Sequence, residues 1–110
     1  MNKKWHTENP LSCPMLATIN VIGGKWKPII LHILSSGTVR FGELKRYITP
    51  ITQKMLTQQL RELEGDGSIR RNVYAEVPPK VEYSLTNKGR TLKPILDDLY
   101  KWGQENALAD

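Results

Sequence analysis

Thr52, Gln53, Lys54, Thr57, Gln58 and Arg61 make a set of hydroxyl, amide and cationic groups with no carboxylate among them. A glutamine amide can pair in bidentate fashion with adenine, hydroxyls bond to bases or phosphates, and Lys and Arg neutralise phosphate charge. At about 100° per residue, Lys54, Thr57, Gln58 and Arg61 share one side of a helix, and Leu56, Leu60 and Leu63 fall on the opposite side. The stretch Thr49–Asp66 therefore reads as an amphipathic helix with an apolar seam and an outward polar face. Thr52 is placed to cap it, and Gly65-Asp66-Gly67 to stop it. A polar outer face is common to most surface helices, so the surrounding chain has to decide what this one is for.

The other reactive side chain is Cys13, the only cysteine. It stands beside Pro14 at a helix start, where first-turn N–H groups stabilise a thiolate and raise its reactivity. Three readings stay open: a small buried hydrophobe at an interface, a thiol without a role, or a redox sensor. One cysteine excludes an internal disulfide and a cysteine-cluster zinc site. His6 and His32 are too few and too far apart in sequence to suggest a metal site. No CxxC motif, general base or Gly-rich nucleotide loop supports a thiol enzyme using Cys13. The expectation is no enzymatic activity, no cofactor and no metal.

Around the polar helix the chain reads as a series of short elements. Residues 1–11 are expected to form a flexible arm, followed by one domain over residues 12–107. Ser12 or Cys13 caps a first helix with Pro14 at its first position, ending at Gly23-Gly24. A second helix begins near Lys25 to Pro28 and is expected to bury Ile29, Ile30, Ile33 and Leu34, with Trp26 anchoring its first turn. Arg40 to Ile48 forms a third, with Phe41, Leu44 and Ile48 on one side and Lys45 and Arg46 elsewhere. This helix, a short turn and the polar helix make a helix-turn-helix arrangement. Two alternating runs follow, one with Ile69, Arg71, Val73 and Ala75 on a face, the other with Val81, Tyr83 and Leu85. Joined through Glu76-Val77-Pro78-Pro79, they predict a two-stranded β-hairpin, the wing of a winged helix.

Thr86 caps a last helix expected to run from about Asn87 to beyond Trp102, with Pro94 bending it. Leu92, Ile95, Leu99 and Trp102 recur at seam spacing, and with Leu16 and Ile19 of the first helix they are the predicted dimer interface. Trp26, Trp102 and Tyr83 read as core or interface residues. The fold class is thus α+β and mainly helical: a winged helix-turn-helix with a two-stranded wing and N- and C-terminal dimerisation helices.

At 110 residues and a net charge of +5 the chain fits one domain with an anionic partner. Residues 40–61 carry five cations and one acid and residues 68–90 five and two, whereas residues 91–110 carry two and four. Positive charge gathers on the helix-turn-helix and hairpin; the acidic tail belongs away from a polyanion. Lys45, Arg46, Arg70, Arg71 and Lys80 join the polar helix as candidate DNA contacts. Lys25 and Lys27 start a helix, where the dipole disfavours cations; a bound phosphate would offset that. No apolar run approaches membrane-spanning length and the N-terminus lacks a signal-peptide core, so a cytoplasmic protein without membrane contact is expected.

Several strings in order resemble the HxlR-type family of bacterial winged-helix, MarR-like transcriptional regulators. They are Cys13-Pro14, Ile22-Gly23-Gly24-Lys25-Trp26, Arg40-Phe41-Gly42-Glu43-Leu44, Thr52-Gln53-Lys54-Met55-Leu56-Thr57, Leu60-Arg61-Glu62-Leu63, Val77 to Thr86, and Trp102-Gly103. The resemblance implies a homodimer on double-stranded DNA, the helix of about residues 52–64 in the major groove and the wing of about residues 69–85 on flanking DNA. It also implies sensing of oxidants or electrophiles through Cys13. Ser68 departs from the family's bulky aliphatic residue and is expected to loosen packing at the wing root. Arg61 is expected to contact phosphate or pair with Glu64, leaving Gln53 and Gln58 for base edges. The alternative is a winged-helix protein-interaction module that does not bind DNA.

Overall fold

The polar stretch begins as expected: Thr52 is the N-cap, its Oγ1 accepting from Met55 N at 3.0 Å. The structure, a computed structural model, describes residues 13–108; the expected arm lies outside the described residues. In chain order it contains α1 (Pro14–Ile22), α2 (Lys27–Leu34), β1 (Val39–Arg40), α3 (Phe41–Tyr47), α4 (Gln53–Gly65), β2 (Ile69–Tyr74), β3 (Lys80–Leu85), α5 (Asn87–Arg90) and α6 (Lys93–Trp102). A π-helical segment, Gly103–Ala107, continues α6.

Leu56, Leu60 and Leu63 of α4 are buried against Leu44, Ile48 and Ile51 of the preceding helix and turn, Ile30, Leu31 and Leu34 of α2, and Ile69, Tyr83 and Leu85 of the sheet. Truncating one of these leucines to Ala would cost about 2–5 kcal/mol. The seam of α2 differs from the expected one. Ile30, Leu31 and Leu34 are its buried residues, while Ile29 is 40 % exposed and Ile33 only half-buried. Trp26 itself is the N-cap and packs on the core edge.

The wing hairpin acquires a third strand. β1 pairs antiparallel with β3 through Val39–Tyr83 and Arg40–Glu82, giving the order β1-β3-β2. Two residues were too few to show period-two alternation in the sequence. Only the root of the hairpin is buried, at Ile69, Tyr83 and Leu85; Val73, on the same strand face as Ile69, is exposed.

α4 ends in a paired turn. Gly67 adopts a left-handed φ of 78°, its N–H donating to Glu64 O at 3.0 Å and that of Ser68 to Leu63 O at 3.0 Å. This turn draws Ser68 into the core: it is fully buried, and its Oγ has no hydrogen-bond partner among the described residues. Ser68 also borders a cavity of about 240 Å³ shared with Ala17, Val21 and Leu92.

The expected single C-terminal helix is two. Thr86 does cap α5, accepting from Gly89 N at 3.0 Å, but Leu92 N bonds back to Gly89 O and a new helix starts at Lys93. Pro94 lies in the first turn of α6, where a missing N–H costs nothing, and so does not bend a helix interior. Leu96, absent from the expected stripe, is the buried contact of α6, and Tyr100 stacks on His32 of α2 at 4.7 Å.

Candidate nucleic-acid interface

Because the leucines of α4 turn inward, Thr52, Gln53, Lys54, Gln58 and Arg61 are exposed and Thr57 half-exposed on the outer face. The wing runs alongside. An open cleft of about 760 Å³ is lined by Gln53, Thr57 and Arg61 of α4, Arg71 and Lys80 of the wing, and Arg40 before α3. Glu64 and Glu76 also border it, yet cations outnumber these acids. Lys54 and Gln58 lie farther round α4, in a shallow groove shared with Gln53, Thr57 and Arg61.

Strand alternation separates the two wing arginines. Arg71 faces the cleft, whereas its neighbour Arg70 is turned to the other side of β2 and does not line it. Lys45 and Arg46 occupy the last turn of α3, where the helix dipole favours cations, and line neither surface. Lys80 lies over the Tyr74 ring at 4.5 Å and 3.7 Å from Glu82. Of the two roles expected for Arg61, phosphate contact or pairing with Glu64, no ion pair with Glu64 is present among the described residues. Sequence reasoning missed Arg40: its position before α3 gave no sign that β1 would carry it to the wing.

Two cations at the start of α2 are also accounted for within the chain. Lys25 stacks over Trp26 at 4.8 Å. Lys27, with a side chain only 12 % exposed, places Nζ 2.7 Å from Glu62 Oε1 on α4. A protein carboxylate, not a phosphate, therefore offsets the dipole penalty of Lys27. Hydrogen bonds from Lys27 and then Gln58, with the charge of Lys27, hold the Glu62 carboxyl below its ordinary value of 4.5.

Cys13 is the N-cap of α1, partly exposed, its thiol free and making no capping bond. Of the expected interface residues, Ile19, Ile95, Leu99 and Trp102 are 48 %, 44 %, 51 % and 63 % exposed, leaving an apolar stripe uncovered on α6. Leu16 is half-buried, and Leu92 packs on the core of its own chain. No helix of the described residues is long and apolar enough to cross a membrane.

The arrangement has close counterparts. The chain is 63 % identical over 87 residues to the HTH-type transcriptional regulator YtcD of Bacillus subtilis, covering 79 % of this chain and 69 % of that protein. It is 54 % identical over 100 residues to the regulatory protein MalR of Fusobacterium mortiferum, covering 90 % and 94 % respectively. Among solved structures, the oxidised form of the redox regulator HypR superposes with a TM-score of 0.83 at 55 % identity, over 86 % of this chain and 97 % of that one. A polar helix beside a wing, on a chain whose residues 21–110 match the HxlR-like helix-turn-helix family, leaves one assignment: the protein belongs to that family of transcriptional regulators.

Proposed function

We propose that the protein is a homodimeric, sequence-specific DNA-binding regulator acting in the cytoplasm. α4 enters the major groove, with Gln53 and Gln58 at base edges and Thr52, Lys54, Thr57 and Arg61 beside them. Arg71 and Lys80 of the wing hold flanking backbone, with Arg70, Lys45 and Arg46 as outlying phosphate contacts. The observation that carries this reading is the outward face of α4: exposed amides and cations, of which Gln53 and Arg61 share one open cleft with Arg71 and Lys80 of the wing. Two copies join through Leu16 and Ile19 of α1 and Leu92, Ile95, Leu99 and Trp102 of the C-terminal region. Such a dimer would set its two α4 helices about 34–36 Å apart on a two-fold site.

Cys13 is the proposed sensor. Its partly exposed thiol at the start of α1 supports this, as does similarity to a protein described as a redox regulator. With no second cysteine in the chain, its products are a disulfide between subunits, a mixed disulfide with a small thiol, or an alkylated thiol. A gel shift on DNA upstream of its own and neighbouring genes, run across a salt series with and without diamide, tests both parts. Binding that is absent at every salt concentration would reject the DNA reading. Binding that diamide leaves unchanged would reject the sensor.

A further inference from the structure

Glu62 is the one carboxylate on the groove face of α4, where a polyanion would be expected to repel it. Its two oxygens are both engaged. Oε1 meets Lys27 Nζ at 2.7 Å, and Oε2 accepts from Gln58 Nε2 at 3.3 Å. Lys27 belongs to the first turn of α2, inside the body of the domain, and its side chain is nearly buried. The three residues thus form a line from the domain interior to the outer face of α4.

We propose that Lys27 and Glu62 are positioning residues for base reading, fixing which end of the Gln58 amide is presented outward. This rests on the reading of α4 as the recognition helix. An ionised carboxylate only accepts hydrogen bonds, so the amide can turn only its Nε2 toward Glu62, and Oε1 must point away. The amide carries two protons. Giving Glu62 the one trans to Oε1 leaves the cis proton and Oε1 as a free edge, the pair that matches N7 and N6 of adenine. Lys27 neutralises Glu62 toward phosphates and anchors it to α2. Without Lys27, the carboxylate is released to solvent and the amide is free to flip. The oriented edge makes adenine the base selected opposite Gln58.

Selection from a random duplex library tests this with the full chain, followed by affinities on the selected site and on single-base changes of it. Gln58→Ala should lose the adenine preference at one position per half-site, roughly 5- to 100-fold for a bidentate pair. Lys27→Met should weaken the preference at that same position several-fold, and Lys27→Arg should restore it. Loss of a merely structural prop, or of one positive charge, would lower binding to all sequences alike. Uniform weakening by Lys27→Met, or an unaltered preference, overturns the proposal while leaving the recognition helix intact. A cytosine preference lost in Glu62→Gln but kept in Gln58→Ala also overturns it, since Glu62 would then read a base itself. If the wild-type chain selects no sequence, base reading by α4 falls, and this proposal with it.

Discussion

Lys54 and Gln58 lie one turn apart on α4 and should fail in different ways. Lys54→Ala should weaken binding to all DNA and lower the slope of log affinity against log salt by roughly 0.9, one phosphate contact. Gln58→Ala should leave that slope nearly unchanged and remove discrimination instead; equal losses on operator and random DNA would reject its role. Cys13→Ser should retain DNA binding and lose the response to diamide or quinone, read by the same gel shift. At this scale the sequence was informative wherever one helix decides the outcome. Leu56, Leu60, Leu63 and the Thr52 cap all lie on α4, and local periodicity placed them. Lys27–Glu62 was not legible, because its partners come from helices whose contact depends on how α2 and α4 pack. The same holds for Arg40, brought to the wing by a two-residue strand.

At the scale of elements, caps and turns carry measurable stability. Thr52→Ala removes the acceptor for Met55 N and should cost about 1 kcal/mol in thermal or urea unfolding; no loss would mean the start of α4 needs no cap. The Lys27–Glu62 link predicts a pH dependence. Glu62 titrates below its ordinary 4.5 when folded, so its contribution is present above that value and lost as pH falls through the lower folded value. Lys27→Met should flatten the stability profile in that acid range; an unchanged profile would mean the pair contributes nothing there. The boundaries least legible in the sequence were set by contacts, not propensity. Gly89 permits one of them: a Cβ there would run into the Ser68 carbonyl, so α5 can approach the wing root only with glycine at that position. The stripe begins only at Leu92, the N-cap of α6, and nothing between the Thr86 cap and Leu92 marked a break, so the sequence suggested one helix where the chain makes two.

The whole molecule is held together on one side of α6 and uncovered on the other. Leu96 and the His32–Tyr100 stack fix α6 to α2, while Ile95, Leu99 and Trp102 present their surfaces outward at steps of four and three. A single chain leaves this stripe in water, whereas the burial of such side chains is worth about 1.5–3 kcal/mol each. The charge distribution along the sequence agrees with a division of labour, with cations gathered on α4 and the wing and acids outnumbering cations over residues 91–110. Leu99→Asp tests the division directly. Because Leu99 is half exposed within its own chain, the substitution should leave the unfolding transition of the single domain nearly in place. In a dimer it would bury an unpaired carboxylate at the seam, raising the dissociation constant by on the order of 100-fold or more. Sedimentation should then find the variant monomeric at concentrations where the proposed wild-type dimer forms, and binding to a two-fold DNA site should fall much more than binding to a single half-site. A variant that sediments like wild type, or loses both sites equally, would place the subunit contact elsewhere and leave the stripe of α6 without that role.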